Sequence, residues 1–182
     1  MRQDLVERAQ RGDREAFGEL AANEIDHMLV IARLVLRDPD LAEDAVQDAL
    51  VRCWKSLPQL REVDRFDAWL RRILMRSALD LVKRRRRFDV SVERLQTEPS
   101  VADTTDSFLH REELERGFQK LSTEHRAVVV LHHYAGLSMP DVAASLGIPL
   151  GTAKSRYHYA MSALRAALDA DGRVGEAREL LA

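Results

Sequence analysis

The chain has 182 residues, of which 32% are charged and 5% aromatic, and its formal net charge is −2. This length suits one ordinary domain or two small ones, and the composition favours helices with large charged surfaces over sheets. A single cysteine, Cys53, excludes an internal disulfide framework, and neither a bilayer-spanning apolar stretch nor a signal peptide is present, so we expect a cytoplasmic protein without direct membrane insertion.

The near-neutral total hides two patches of opposite charge. Residues 38–48 contain five acidic residues and no basic residue, whereas residues 71–87 contain eight basic residues and one acidic residue, Asp80. The first patch suits a basic partner, and the second suits a polyanion such as nucleic acid.

Three helices are predicted in the first half, over residues 13–36, 40–57 and 66–87, because apolar residues recur there at helical spacing. Pro39 separates the first two helices, and Asp40 is expected to cap the second. The first apolar stripe consists of Phe17, Leu20, Ile25, Leu29, Ala32, Val35 and Leu36.

The composition changes between Phe88 and His110, where polar residues, acids and Pro99 replace the helical stripes. Such a segment is typical of a flexible linker. Helical periodicity resumes at Arg111 and lasts to about Ala170, and no segment alternates with the period of two that is typical of strands. We therefore predict an all-α protein of two small helical domains joined by a flexible linker.

The second half contains the clearest motif. Ser138 stands where a short helix needs an N-cap, and Gly147 stands where a tight turn needs a positive φ. The small residues Ala143 and Ala153 allow this helix and the next to cross closely. The pattern predicts a helix-turn-helix, with a plain three-helix bundle and an incidental glycine turn as the alternative.

Three blocks of sequence, in this order, resemble the sigma-70 superfamily of RNA polymerase subunits, and within it the two-domain extracytoplasmic-function group. They are AEDAVQDALVRCWKSL (42–57), RFDAWLRRILMRSALDLVKRRRR (65–87) and LSTEHRAVVVLHHYAGLSMPDVAASLGIPLGTAKSRYHYAMSAL (121–164). The resemblance implies a first domain like sigma region 2 (1–88), which binds the polymerase clamp and reads the −10 element. A linker (89–110) joins it to a helix-turn-helix domain like region 4 (111–170), which binds the −35 element. A C-terminal tail (171–182) follows.

The first block implies contact with the polymerase. Glu43, Asp44, Gln47 and Asp48 match the polar face that docks on a coiled coil of the β′ clamp. Acidic residues that merely complement a helix macrodipole are the alternative, but Gln47 lies too deep in the helix for that explanation.

The second block implies capture of the melted −10 strand, with a base flipped into a pocket formed partly by the loop 57–64. Aromatic rings stack on such a base, and cations hold the phosphates. The residues implied are Arg61, Phe66, Trp69, Arg72, Arg76, Asp80, Lys83, Arg84, Arg85, Arg86 and Arg87. Core packing is the alternative for Phe66 and Trp69, and a solvated helix end is the alternative for the basic run. Family members often have asparagine where Arg76 stands.

The third block implies reading of the −35 duplex by the exposed start of the last helix, through side chains that reach phosphates and base edges. The residues implied are Thr152, Lys154, Ser155, Arg156, His158 and Tyr159. This helix is less basic after His158 than is common in the family, which implies either a lower −35 affinity or an apolar contact of Tyr159 with a thymine methyl.

The resemblance also implies the partners: core RNA polymerase, bound through the β′ clamp coiled coil and the β flap; promoter DNA; and an anti-sigma factor that can hold such a protein at the membrane. The sequence shows no Gly-rich phosphate loop and no nucleophile–base arrangement, and the adjacent His132 and His133 point about 100° apart. We therefore expect no enzymatic activity, no small-molecule substrate, no cofactor and no metal.

Two other functions remain open from the sequence. One is an autonomous helix-turn-helix regulator that binds duplex DNA as a dimer without being a polymerase subunit. The other is a polymerase-binding module that does not read DNA. The weak basicity after Arg156 leaves this function open, whereas the basic run that starts at Lys83 argues against it.

Overall fold

The computed structural model describes residues 2–89 and 117–179, and these two ranges form helices and turns without a strand. In chain order the helices are α1 (Arg2–Gln10), α2 (Arg14–Leu36), α3 (Pro39–Ser56), α4 (Phe66–Asp89), α5 (Thr123–Val129), α6 (Met139–Leu146) and α7 (Leu150–Glu179). Two 3-10 turns, Leu57–Gln59 and Val63–Arg65, join α3 to α4, and a π-helical turn, Val130–Tyr134, extends α5. The predicted all-α class with two helical units is confirmed. From residue 90 onward the predicted linker lies outside the described residues.

The predicted break between the first two long helices is present, but its cap differs. Arg37 ends α2 in the left-handed conformation with φ 57°, and Asp38 is the N-cap of α3, where its carboxylate accepts a hydrogen bond from the Leu41 N–H at 3.0 Å. The prediction that Asp40 caps α3 is therefore wrong. Pro39 occupies the first helical turn, which requires no N–H donor there, so the cap falls on the residue before the proline.

The first half is built around α2, α3 and α4, whose apolar faces meet in one core. Ile31, Val46 and Leu74 are each at most 2% exposed. Ile25, which was assigned to the α2 stripe, is 37% exposed, and Met28 and Ile31 are buried instead. Cys53 is buried in this core, and burial raises the pKa of its thiol to about 12, so the thiolate is not formed at neutral pH.

Helix α1 was not predicted from the sequence. This helix buries Leu5, Val6 and Ala9 against the rest of the first half and packs mainly on α2. Those three residues have helical spacing, but the signal covers only nine residues and lies among charged side chains, so the pattern alone was weak.

The helix-turn-helix is confirmed at its turn. The Ser138 Oγ accepts a hydrogen bond from the Asp141 N–H at 3.3 Å at the start of α6, and Gly147 ends α6 with φ 64°. The Ile148 N–H then donates to the Ala143 carbonyl at 3.0 Å, which closes the turn. Ala153 is fully buried, so the first turn of α7 can approach the preceding helices closely.

The two halves pack on each other, which the sequence analysis did not predict. The main contacts across the boundary join α4 to α6, with further contacts from α2 to α5 and to the π-helical turn. Buried residues of the second half, among them Val128, Leu131 and Val142, belong to the same continuous apolar core as the first half. A smaller core of Leu121, Val129, Ala160 and Leu164 belongs to the second half alone.

We expect Asp38→Ala to lower the free energy of unfolding by about 1 kcal/mol, since it removes the cap of α3, whereas Asp40→Ala should cost less because Asp40 only adds charge to the first turn. Hydrogen bonds from the Leu41 N–H and from Arg85 outweigh burial and hold the pKa of Asp38 below its ordinary value. The stabilisation is therefore present above about pH 4 and is lost as pH falls through the lowered pKa. Urea unfolding across pH checks this; equal losses for the two variants would contradict it.

Candidate nucleic-acid interface

The start of α7 presents a polar surface. Ala153 faces inward, whereas Lys154, Ser155, His158 and Tyr159 are exposed. The remaining two residues of the predicted set, Thr152 and Arg156, are half-buried beside them. The structure thus brings all six residues predicted for −35 recognition onto the first turns of one helix, where the Ser155 hydroxyl donates to the Thr152 carbonyl oxygen at 3.0 Å.

Tyr159 is held by a ring contact rather than left free. It is 61% exposed, and its ring stacks on that of His125 at a centroid distance of 4.6 Å. Burial and the nearby charge of Arg156 lower the pKa of His125, so the imidazole is neutral at pH 7. A neutral, stacked His125 adds a flat surface beside the recognition helix without adding charge.

Tyr157 is a residue that the sequence analysis missed. Its hydroxyl lies 2.9 Å from His133 Nε2, and its ring contacts His132 edge-on. His132 Nδ1 in turn lies 2.8 Å from the Leu137 carbonyl oxygen. The two histidines therefore connect the π-helical turn to α7 and fix the recognition helix. Among the residues that the structure describes, no three His, Cys, Asp or Glu side chains form a metal-binding group.

The loop 57–65, which precedes α4, is held by α1. The Gln10 side-chain amide donates to the carbonyl oxygens of Leu57 at 3.2 Å and Leu60 at 2.7 Å. Gln3 hydrogen bonds to Asp64, and Arg2 pairs with Asp67 and, at 2.5 Å, with Glu24. The helix missed in the sequence is therefore the scaffold of the loop that was predicted to accept a flipped base.

The aromatic residues at the start of α4 differ in exposure. Phe66 is 4% exposed and lies beneath the Arg2 guanidinium, 5.8 Å from its ring centroid, so it packs in the core as the alternative interpretation had it. Trp69 is half-buried and borders a groove at the loop. Arg61, Arg72 and Arg76 are exposed near or along this face.

Asp80 and Asp48, which were assigned to different interfaces, share one partner. Arg52 on α3 pairs with Asp48 at 2.8 Å on its own helix and with Asp80 on α4 at 3.1 Å. Both carboxylates thus face the junction of α3 and α4 rather than projecting freely. The sequence could not show this, because Arg52 lies 28 residues from Asp80.

The basic residues at the end of α4 differ in whether they pair with an acidic residue. Lys83, Arg84 and Arg87 are exposed, whereas Arg85 pairs with Asp38 at the start of α3. The Arg86 side chain lies outside the described part of the structure. Cations at the C-terminal end of a helix complement its macrodipole, so the run suits both a free helix end and a phosphate-binding surface.

The predicted polymerase-binding residues line the outer side of α3. Asp44 and Gln47 are exposed, and Glu43 is exposed with a weak ion pair to Arg33 at 3.4 Å. Val51, one turn beyond Gln47, is 52% exposed and was not predicted. An exposed apolar residue beside acidic and amide groups gives this face the mixed character of a protein-binding surface.

Two helical units, the second ending in a helix-turn-helix with an exposed recognition helix, define a class of DNA-binding proteins. Comparison with known families is more specific: residues 25–88 match sigma-70 region 2 and residues 117–166 match sigma-70 region 4, together more than half of the chain. The chain therefore belongs to the sigma-70 family and is an RNA polymerase sigma factor of the extracytoplasmic-function group.

Individual relatives agree with this assignment. The RNA polymerase sigma-E factor of Streptomyces avermitilis is 34% identical over 166 residues, covering 90% of this chain and 92% of that protein. The ECF RNA polymerase sigma factor SigL of Mycobacterium tuberculosis is 36% identical over 150 residues, covering 79% and 85%.

Solved structures show the same fold. The sigma factor RpoE of Bartonella quintana, in complex with the anti-sigma factor NepR, matches with a TM-score of 0.71 at 26% identity, covering 84% of this chain and 96% of that one. CnrH, in complex with the cytosolic domain of CnrY, matches with a TM-score of 0.64 at 30% identity, covering 93% and 98%. No helix in the two described ranges is long and apolar enough to cross a membrane.

We expect Gln10→Glu to loosen the loop 57–65, because a carboxylate cannot donate to the Leu57 and Leu60 carbonyls. Loss of the two hydrogen bonds should lower the free energy of unfolding by roughly 1–3 kcal/mol and speed amide exchange in the loop. Gln47→Glu, the same substitution on the exposed face of α3, is the control. Unchanged exchange in the loop of the Gln10 variant would contradict the scaffold role of α1.

We expect Arg52 and Asp80 to be energetically coupled. Both side chains are more than a third exposed, so solvent screening limits the coupling to about 0.2–1 kcal/mol. A double-mutant cycle of Arg52→Ala and Asp80→Ala, measured by urea unfolding, should be non-additive by that amount. Arg33 and Glu43, whose pair is longer and more exposed, form the control cycle. Strict additivity in the first cycle would show that the Arg52 bridge carries no free energy.

Proposed function

We propose that this sigma factor reads the −35 duplex through the first turns of α7 and captures the −10 single strand through α4 and the loop before it. The observation that carries the proposal is the start of α7, where all six implied residues lie together and the buried Ala153 anchors the helix from behind. Side chains at the N-terminal part of such a helix reach base edges in the major groove.

For the −10 element, the proposal relies on Trp69 and the arginines rather than on Phe66. A half-buried indole beside exposed Arg61 and Arg72 offers a stacking face next to phosphate-binding groups. Phe66 supports this surface from within the core. Asp80, paired with Arg52, acts by positioning α4 rather than by touching DNA.

For the polymerase, we propose that Asp44, Gln47 and Val51 form the centre of the clamp-binding face. These side chains are exposed on one side of α3, whereas the carboxylate of Asp48 turns toward Arg52. The β flap is the expected partner of the second half. This protein then acts as a non-enzymatic subunit in the cytoplasm, where core polymerase and promoter DNA meet.

An anti-sigma factor is a further proposed partner. Two solved structures that resemble this chain are complexes of a sigma factor with such a protein. The autonomous regulator, which needs its own dimer interface, is not favoured by these relatives.

Run-off transcription with core polymerase of the source organism on a genomic fragment library tests the function. We expect transcript starts that share a −35/−10 pair. Lys154→Ala should lower transcription from them by about tenfold, since a base or phosphate contact is worth about 1–3 kcal/mol. Lys120→Ala, which removes an exposed lysine elsewhere in the second half, should leave it unchanged.

Two outcomes would go against the proposal. No starts, together with specific duplex binding in the absence of polymerase, would establish the autonomous regulator. Starts that respond equally to the Lys154 and Lys120 variants would remove the recognition role of α7.

A further inference from the structure

Helix α1 contacts both ends of the loop that precedes α4, and it does so from one side. Gln10 donates to the carbonyl oxygens of Leu57 and Leu60, in and just after the first 3-10 turn. Gln3 donates to Asp64 in the second 3-10 turn. The two glutamines are seven positions apart, which is about two helical turns, so their side chains leave the same face of α1 about 10 Å apart along its axis.

Arg2 extends the contact at the second end of the loop to two helices. Its guanidinium pairs with Asp67 in the first turn of α4 and with Glu24 of α2, and it lies 5.8 Å from the Phe66 ring centroid. Glu24 is 9% exposed, so this ion pair lies at the edge of the core. The start of α4 and the end of the loop are therefore held by the same residues of α1.

Helix α1 is itself fixed to the first half. Its apolar face is buried, and Arg8 near its end donates from Nε at 2.9 Å and from Nη2 at 2.7 Å to Asp13. Asp13 is the N-cap of α2 and accepts hydrogen bonds from the Glu15 and Ala16 N–H groups at 3.0 Å each. The position of α1, and with it that of both glutamines, is thus tied to the start of α2.

The middle of the loop carries the side chains that face the groove. Backbone hydrogen bonds of 3.1 and 3.0 Å close the two 3-10 turns, and between the turns Leu60 and Glu62 have extended backbone. Arg61 and Glu62 are exposed and line the groove together with Trp69. Because this short extended segment lies between the two ends that α1 contacts, α1 sets where its side chains stand.

We propose that Gln10 and Gln3 are positioning residues for base selection in the −10 element. They hold the two ends of the loop, so that its middle meets the flipped base in one geometry. The inference rests on the −10 role proposed above and extends it to a helix outside the family match, since the match to sigma-70 region 2 begins at residue 25. None of the three contacting residues of α1 was among the predicted site residues.

The loss of a positioning residue has a characteristic effect, because affinity and selectivity come from different contacts. Stacking on Trp69 and contacts of the arginines with phosphates bind every sequence. Hydrogen bonds to a base edge weaken steeply when their geometry is lost, and they alone distinguish one base from another. A loosened loop should therefore reduce the preference for the correct base more than it reduces transcription as a whole.

Transcription from a randomised −10 element measures this preference in the complete holoenzyme. The template is the strongest promoter recovered in the run-off assay, and sequencing of the transcribed templates gives the ratio of bases at each −10 position. Gln10→Met and Gln3→Met keep the side-chain length and remove the donor, whereas Gln10→Lys retains a donor. Gln119→Met, at an exposed position of the second half, is the matched control.

We expect the base preference at one or more −10 positions to fall about three- to tenfold in Gln10→Met, since two hydrogen bonds are lost, and by less in Gln3→Met, which loses one. Gln10→Lys should retain the preference, and Gln119→Met should not change it. Discrimination at the −35 element should be the same in all variants. Transcription that falls equally for every −10 sequence, with the base ratios unchanged, would overturn the positioning role.

Two further measurements keep the result interpretable. Circular dichroism and urea unfolding identify a variant that does not fold, and if Gln10→Met fails, Gln3→Met decides, because Gln3 is exposed. Arg61→Ala separates this inference from the function proposed above. Unchanged −10 preference in the Arg61 variant would count against the loop as a reader, whereas a changed preference there with none in either glutamine variant would overturn the role of α1 alone.

Discussion

The position of α4 between two neighbours is the constraint on which the rest of the structure depends. One side of α4 packs on α3, where Arg52 pairs with Asp80, and another side meets α6 of the helix-turn-helix. Helix α4 therefore carries the surface assigned to the −10 strand, supports the polymerase-facing helix α3 and contacts the second half. A shift of α4 would displace all three, because closely packed helices move together.

Local signals in the sequence sufficed for much of the fold. The break at Pro39, the cap at Ser138 and the left-handed turn at Gly147 each depend on residues within a few positions, and each is present. The failures arose where a local signal was ambiguous or short. Asp38 and Asp40 both suit a cap, and only the placement of Pro39 decides between them. Ile25 was assigned to the apolar stripe of α2, but it is 37% exposed, and Met28 and Ile31 are buried.

The candidate site was predictable in composition but not in geometry. Residue types placed the six recognition residues on the start of α7, because one helix displays them by its own periodicity. The side-chain pairs could not be predicted from the sequence, because they join residues that lie far apart in the chain: Arg52 with Asp80, Gln10 with the loop, and Arg126 with Val35. A predicted interface residue can thus be an exposed contact, like Asp44, or a positioning residue, like Asp80, and only the fold distinguishes them.

The shared core sets a condition on how the two halves can separate. The second half alone has a small buried cluster, and several of its apolar side chains complete their burial in the core of the first half. Separation of the two halves exposes apolar surface, which costs a free energy of about 25 cal/mol per Å². It also removes the hydrogen bond between Arg126 and the Val35 carbonyl.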